Sequence, residues 1–506
     1  MTYEPKTTPY AHQIKAGRAA RTDDGKFKPA FAWFLEMGLG KTKVDVDETC
    51  EMYELGLIDV WLIVAPKGVY RNWDTRELPT HVPDRVLSAA RVVHWLPGGG
   101  GKAHQQRLRD LLVPGAGLRV LVLNVEALST GKVALDYVHD FLRSKARGAK
   151  GTIDESTTIK NHSANRTVSV SGLADLCDYR RILTGSPVTK SPLDLYGQFS
   201  FLQPRPLGFS SFYSFRARYA IMKRMEFGGR KVNIVVGYRE MDDLNKRIAP
   251  LSHRIRKEEC LDLPPKVYLR RDVEMTAEQR RVYGEMLENA TVALSETDHV
   301  TATAVITQIL RLHQIACGFV TDENGVLHDV PSNRISEMLS VLEETDGKVI
   351  IWSRYRRNIE QIVEAIAKHR DPATGALMWG PGSVVQFHGG VDAAGREDAV
   401  LRFQGDPQRG VASDPQCRFM VSNAQTGGYG NTWTVARTTL YFSNDYDLEK
   451  RLQSEDRNHR VGQTGSVTYV DFVCPGTVEE KILKALREKI NISSTILGDG
   501  YREWLV

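Results

Sequence analysis

Residues 30–36, AFAWFLE, run straight into the glycine turn MGLGKT (37–42) and then into TKVDVDETCEMYEL (42–55). An apolar strand, a lysine-bearing glycine loop and a helix, in that order, allow few folds. The strand belongs inside a parallel sheet, with its C-terminal end opening on the loop. VWLIVAP (60–66) and LRVLVLNV (118–125) are short apolar runs rich in β-branched residues and bounded by turn formers, as buried parallel strands are. Their alternation with helical stretches predicts a doubly wound α/β lobe. In the general phosphate-loop pattern G-x-x-x-x-G-K-[ST], the first glycine would fall on Leu35. The loop ends as such a loop should but does not begin as one.

A second α/β lobe is predicted further on. KVIIWS (348–353), SVVQFHGG (383–390), RFMVSN (418–423), TTLYFSN (438–444) and VTYVDFV (467–473) read as strands with helical segments between several of them. From about 204 to 333 the pattern changes: FYSFRARYAIMKRM, TAEQRRVYGEMLENATVAL and ITQILRLHQIA read as helices, divided by the loop DLPPKV (262–267). The expected organisation is a first lobe over 1–203, a helical linking region over 204–333, a second lobe over 334–477 and a C-terminal helix and tail over 478–506. The glycine-rich turn TGGYGNT (426–432) has no lysine, so one nucleotide held at a lobe interface is expected rather than two.

Charge is uneven. Residues 205–275 hold 16 Lys and Arg against 9 Asp and Glu, a local net of +7 in a chain whose net is +5. A basic segment of this kind is the footprint that a polyanion such as nucleic acid requires, although an ordinary solvated surface gives the same count. The six cysteines form no C-x-x-C pair, which argues against a zinc ribbon or disulfide framework and for buried free thiols. No apolar run approaches the ~18 residues of a membrane helix, and MTYEPKTTPYAHQ has no signal-peptide core. A soluble cytoplasmic protein with no membrane partner is expected.

Four short motifs carry chemistry. In the loop, Gly38 and Gly40 let backbone N–H groups approach a phosphate, the following helix adds its positive end, and Met37 and Leu39 complete the frame. Lys41 reaches the β- and γ-phosphates and the Thr42 hydroxyl suits magnesium. In TIDESTTIKN (152–161), Asp154 suits the metal and Glu155 the orientation and deprotonation of water. The residues before it, RSKARGAKGTI, are basic and glycine-rich where an inner strand should be apolar, so a short strand or a shifted register is expected. In RRILTGSPVTKSPLDLY (180–196), the turn Thr184-Gly185-Ser186-Pro187 closes a strand with small hydroxyl residues that can link a metal site to its surroundings. In QSEDRNHRVGQTG (453–465), Arg457 and Arg460 are three apart and would share a helix face, with Gln453 one turn back. Two such guanidinium groups suit the charge on a transferred γ-phosphoryl group. Taken singly, the last three are also compatible with surface acids, a plain turn and a solvated helix end.

In their order along the chain these motifs resemble the Swi/Snf-type branch of the superfamily-two helicase-like ATPases, related to the DEAD and DEAH groups. PYAHQ resembles that family's adenine-reading motif, implicating Gln13. EMGLGKT matches this branch's phosphate loop, which also lacks the first glycine, so Leu35 is no defect by that standard. LIVAPKGVYRNW (62–73), with Lys67, resembles the strand and turn that touch the tracked strand. DESTTIKN, LTGSP with DLYGQFSFLQP, TGGYGNT, QSEDRNHRVGQ and VCPGTVEEKI resemble later motifs in turn. Departures are Thr432 where an asparagine is usual, and Tyr446-Asp447 in place of Trp-Asn.

The resemblance implies two RecA-like doubly wound parallel-sheet lobes with helical insertions between them. It implies ATP and Mg2+ as cofactors, with Lys41, Glu155, Arg457 and Arg460 as catalytic groups. It also implies double-stranded DNA as track and a nucleic-acid-stimulated ATPase that translocates, either alone or within a larger protein or nucleoprotein assembly. Candidate phosphate contacts are Lys67, Arg216, Arg218, Arg230 and Lys231, and in the second lobe Arg354 and Arg356 of WSRYRRN. The alternatives are a strand-separating DNA or RNA helicase, and a nucleic-acid clamp that binds ATP without using it, which the weak strand before Asp154 would favour. Compactness favours a small bacterial or viral enzyme.

Overall fold

Six apolar residues in extended conformation form β1 (Ala30–Leu35), every one of them buried or half-buried. In this computed structural model, residues 3–129, 132–227, 230–296, 302–406, 410–427 and 432–497 are described. Two compact units divide the chain, with the main passage from one to the other at Asp262/Leu263.

The first unit is built on a seven-stranded sheet. Its strands are β1, β2 (Val60–Ala65), β3 (Arg91–His94), β4 (Arg119–Asn124), β5 (Ala149–Asp154), β6 (Tyr179–Leu183) and, after the ribbon of β7 (Ala220–Phe227) and β8 (Arg230–Tyr238), β9 (Ser252–Ile255). Their order is β3-β4-β2-β5-β6-β1-β9, with all pairs parallel. Parallel strands are covered on both faces, and alternate residues of β1 enter different cores. Ala32 and Phe34 join one cluster; Phe31, Trp33 and Leu35 join the other. Helices α1 (Ala11–Ala19) and α2 (Lys41–Glu54) precede and follow β1.

The structure corrects three expectations from the sequence. First, β5 is neither short nor shifted: it runs six residues through AKGTID and pairs with both β2 and β6. Its charge is neutralised inside. Lys150, fully buried, reaches Asp45 (2.7 Å) and Glu48 (2.9 Å) of α2, and Arg181 of β6 pairs with the same Glu48 (2.8 Å). Gly151 leaves room for Cys177 and Phe201, whose nearest atoms would each sit 2.8 Å from an added Cβ. Second, FYSFRARYAIMKRM is not one helix. The helix Phe212–Tyr219 ends where Ala220 turns extended, and the following residues pair as β7 with the β-branched run of β8. Third, 204–333 is not purely helical, since it also supplies β9 to the first sheet and β10 (Lys266–Asp272) to the second.

The second unit has a six-stranded parallel sheet, β10-β17-β16-β13-β15-β14, and a hairpin of β11 (Phe319–Thr321) and β12 (Leu327–Asp329). Here β13 is Lys348–Trp352, β14 Val384–Phe387, β15 Phe419–Ser422, β16 Ala436–Tyr441 and β17 Val467–Val473. Again alternate residues divide: Val349 and Ile351 face one core, Ile350 and Trp352 the other. Two helices over Ala277–Glu296 and Ala302–Ala316 lead into it, and the helix Val478–Leu497 follows β17.

Arg334 is wholly buried and donates to the carbonyls of Phe442, Ala316 and Phe472 and to both oxygens of Glu479 (2.8 and 2.9 Å). Burial alone would raise the Glu479 carboxyl. The Arg334 guanidinium and His313 outweigh it and bring the pKa to about 2. A depressed carboxylate stabilises the fold above its unfolded value, and that contribution is lost as pH falls through the folded value. Glu479→Gln is therefore expected to cost on the order of 3 kcal/mol at pH 7. In denaturant titrations the gap between parent and variant should hold above pH 5 and narrow steadily towards pH 3. A gap independent of pH would mean that the pair does not titrate as described.

No helix among the described residues is long and apolar enough to cross a membrane. All six cysteines are free, and five of them are buried.

Candidate functional site

After β1 the chain turns through Glu36–Gly40 before α2 begins at Lys41. Gly38 and Gly40 make the turn, with φ of +85° and +78°. Glycine is needed twice over at position 40, because a Cβ there would also lie 2.2 Å from Nε2 of Gln13. The Gln13 amide is fixed: Nε2 donates to the Leu39 carbonyl (3.2 Å) and Oε1 accepts from the Tyr10 N–H (2.9 Å). Gln13 thus braces the loop from α1, with a second N–H and a second lone pair left on the amide group.

Lys41 and Glu155 meet across the mouth of the loop. Lys41 Nζ lies 3.8 Å from Glu155 Oε1, and the two side chains are only 9% and 12% exposed. At φ +45° and ψ +63° Glu155 occupies the left-handed region. For a residue with a Cβ this conformation costs on the order of 1 kcal/mol and persists where its surroundings dictate it, commonly at functional sites. Here β5 has just ended, and the strained turn brings the carboxylate back towards the lysine. Thr184, one residue beyond β6, donates its hydroxyl towards Glu155 Oε2 at 3.5 Å and accepts the Ser186 N–H at 3.2 Å. Gly185 lets this turn press on the loop: an added Cβ would be 3.1 Å from the Met37 nitrogen.

Asp154 sits half-buried at the end of β5. Its Oδ2 accepts from the Trp73 indole N–H (3.0 Å) and its Oδ1 from the Glu155 backbone (3.0 Å). Burial pushes its carboxyl above the usual range, against Lys41 and the Trp73 hydrogen bond, which pull it down. The Asp154 carboxylate, oriented by these two hydrogen bonds, and the Thr42 hydroxyl at the start of α2 are hard-oxygen donors of the kind that suit Mg2+.

Residues predicted from the sequence to act together are therefore together within the first unit: Gln13, Met37–Thr42, Asp154, Glu155 and Thr184. In the second unit the helix Leu448–Glu455 ends before Arg457, so Arg457 and Arg460 do not share a helix face as expected. The chain is bent out of the helix because the Trp433 N–H takes the Arg457 carbonyl (2.8 Å) and the Asn458 amide reaches Thr439 (2.9 Å). Arg457 is buried and its Nε donates to the Gln453 carbonyl (3.0 Å); Arg460 is half-buried. At the C-terminal ends of β13, β15 and β16 lies a cavity of about 260 Å³ bordered by Trp352, Arg354, Asn423, Asp445 and Lys450.

The predicted phosphate contacts fare unevenly. Lys67 is exposed on the turn after β2. Arg216 stacks over Tyr213 (5.2 Å), and Arg218 lies 3.5 Å from Glu240 and 3.7 Å from Asp243. The side chains of Arg230 and Lys231 lie outside the described residues, as do Gly428–Asn431 of TGGYGNT. Arg354 pairs with Asp445 (3.3 Å), while the exposed Arg356 packs over Gly390 of FHGG. Two residues with no role assigned from sequence emerge: Trp73, which holds Asp154, and Arg254 of β9. Trp73 is the last residue of LIVAPKGVYRNW, and Arg254 is one of the basic residues of 205–275; no local spacing links either to its partners.

Residues 34–319 match the SNF2-related domain. The chain is 25% identical to the TATA-binding protein-associated factor mot1 of Aspergillus fumigatus over 86% of its length, and 24% identical to Protein CHROMATIN REMODELING 4 of Arabidopsis thaliana over 97%. With the ATP-dependent helicase brm of Drosophila melanogaster it shares 23% identity over 92%. It spans 23%, 21% and 28% of those proteins. Among solved structures, the Sulfolobus solfataricus SWI2/SNF2 ATPase core in complex with dsDNA aligns over 98% of this chain and 96% of that one, at 21% identity and a TM-score of 0.40.

Proposed function

The chain belongs to the SNF2-related family, and from that premise we propose that it is an ATP-driven motor that steps along double-stranded DNA. The observation that carries the reading is the approach of Lys41 Nζ to Glu155 Oε1, 3.8 Å apart beside a loop turned by two left-handed glycines. In this reading the loop N–H groups and Lys41 bind the triphosphate, and Gln13 reads the adenine with its remaining donor and acceptor. Glu155 orients the attacking water and takes its proton, and Thr184 steadies the carboxylate. Thr42 and Asp154 would hold Mg2+, whose charge, when bound, offsets that of the phosphates.

Arg457 and Arg460 of the second unit supply the guanidinium groups that stabilise the transferred phosphoryl group, with Gln453 beside them. ATP then favours a closed state by differential affinity and its loss releases it. Lys67, Arg216, Arg218, Arg230, Lys231, Arg354 and Arg356 contact backbone phosphates, giving binding independent of sequence. The relatives' names, a chromatin-remodelling protein and a TATA-binding protein-associated factor, support work on a nucleoprotein assembly. The clamp alternative loses its one support, because β5 is a full strand delivering Asp154 and Glu155.

The test is phosphate release with no nucleic acid, single-stranded DNA, duplex DNA and RNA at one stated salt concentration. Stimulation greatest with duplex DNA is expected, with triplex displacement but no strand separation. Arg460→Ala should keep ATP affinity and lose most of the turnover. Equal rates with and without DNA, or parent-like kinetics in Arg460→Ala, would refute the motor or the arginine assignment respectively.

A further inference from the structure

Arg254 lies on β9, the edge strand beside β1, and is remote in sequence from every motif above. Its guanidinium nonetheless lies where two of them meet. Nη1 donates to the Phe34 carbonyl (3.1 Å), close to the end of the strand that enters the phosphate loop, and to the Gly185 carbonyl (2.8 Å) in LTGSP. Nη2 approaches Glu36 Oε1 at 3.3 Å, and Glu36 Oε2 accepts the Lys257 N–H at 3.0 Å. Arg254 and Glu36 are 17% and 15% exposed, so these contacts are largely screened from water.

We infer that Arg254 is a positioning residue for hydrolysis, registering the Thr184–Gly185 turn against the phosphate loop and so fixing where Thr184 holds Glu155. The inference rests on the ATPase reading of that site. The loop has its own supports: α2 is tied down by Lys150, and Gln13 braces Leu39. The LTGSP turn is held to the loop side by the Thr184 N–H to the Trp33 carbonyl (3.2 Å) and by Arg254. Loosening Arg254 thus moves the turn more than the loop, and a group that orients the water is displaced while the phosphate cradle stays. A planar fork can serve two carbonyls and a carboxylate at once, which a lysine ammonium on its flexible stem does not reproduce.

Arg254→Lys and Arg254→Met are to be compared with the parent in the full chain. Expected are a kcat lower by about 10- to 100-fold, an ATP affinity within about threefold by nucleotide binding, and unchanged cooperative melting for Arg254→Lys. A kcat within twofold of the parent in both variants overturns the inference. So does a loss of ATP affinity with kcat preserved, which would make Arg254 an anchor of the loop alone. An independent readout is amide hydrogen exchange at Thr184 and Ser186 against Leu39. Faster exchange in the turn but not the loop is expected in Arg254→Lys, and unchanged exchange at both overturns the inference. Should the parent hydrolyse no ATP, the function proposed for the site fails, while the exchange comparison still decides whether Arg254 registers the turn.

Discussion

Glu155→Gln is expected to lower ATP turnover by about 10²- to 10⁴-fold, the range that a positioned general base supplies, with ATP affinity little changed. The amide keeps the size of the carboxyl and cannot take a proton from water. Nothing in the loop changes: Gly38, Gly40 and the start of α2 are set by β1 and α2, not by residue 155. Thr184 can still donate to the amide oxygen, so the left-handed turn at 155 keeps its surroundings. Lys41→Ala should differ in kind. It removes the charge that meets the phosphates, so both affinity and turnover fall, and it leaves Glu155 with one fewer partner in a site barely open to water. Both variants should bind duplex DNA as the parent does in the absence of nucleotide. The measurement is steady-state phosphate release beside nucleotide binding for each. Appreciable hydrolysis by Glu155→Gln would remove Glu155 from the role of base and leave the buried pair without a function.

What the sequence revealed follows the range of the interactions involved. β1, β2 and β4 were legible because parallel strands covered on both faces are apolar throughout, and that signal is local. The phosphate loop was legible for the same reason, since strand, glycines, lysine and helix are contiguous. β5 was misread because its acceptability depends on acids about a hundred residues earlier: Lys150 is tolerable only beside Asp45 and Glu48. A signal existed. Asp45, Glu48 and Thr49 stand at i, i+3 and i+4 on α2, a polar patch on a helix face that the sheet buries. Arg457 and Arg460 were placed on a helix by spacing, but the helix stops at Glu455 through contacts to Trp433 and Thr439, which no local pattern announces. Arg254 was illegible because its partners are backbone carbonyls, at Phe34 and Gly185, and a carbonyl has no letter in the sequence.

Lys150→Met is expected to destabilise the first unit by about 3–5 kcal/mol, the cost of breaking a buried ion pair from one side. Two basic and two acidic side chains meet there, all of them buried. Lys150 reaches Asp45, Glu48 and the Thr49 hydroxyl (2.7 Å), and Arg181 grips Glu48 with Nε and Nη2, each at 2.8 Å. Without Lys150, Glu48 keeps Arg181. Asp45 keeps only the Thr152 hydroxyl (2.8 Å) as a side-chain partner among the described residues. Burial already holds the Asp45 carboxyl above its usual range even with Lys150 pulling it down, whereas in Glu48 burial is outweighed by Arg181 and Lys150. Asp45 is thus the weak member, and the sign of its pH dependence follows. A carboxyl whose folded pKa is raised keeps its proton in the folded state while the unfolded chain gives one up, so stability falls as pH rises above the unfolded value of ~3.9. The deficit of Lys150→Met should accordingly be largest near pH 8 and shrink towards pH 4. Adding Asp45→Asn should recover much of it, since the double variant holds no lone buried charge, and the recovery is the coupling energy of the pair. Thermal or denaturant unfolding of the parent, both single variants and the double at pH 5 and pH 8 measures it. Additive single-variant costs, equal at both pH values, would show that the charges beneath the phosphate-loop helix do not act on one another, and the account of why a basic strand can lie at the centre of this sheet would fall with them.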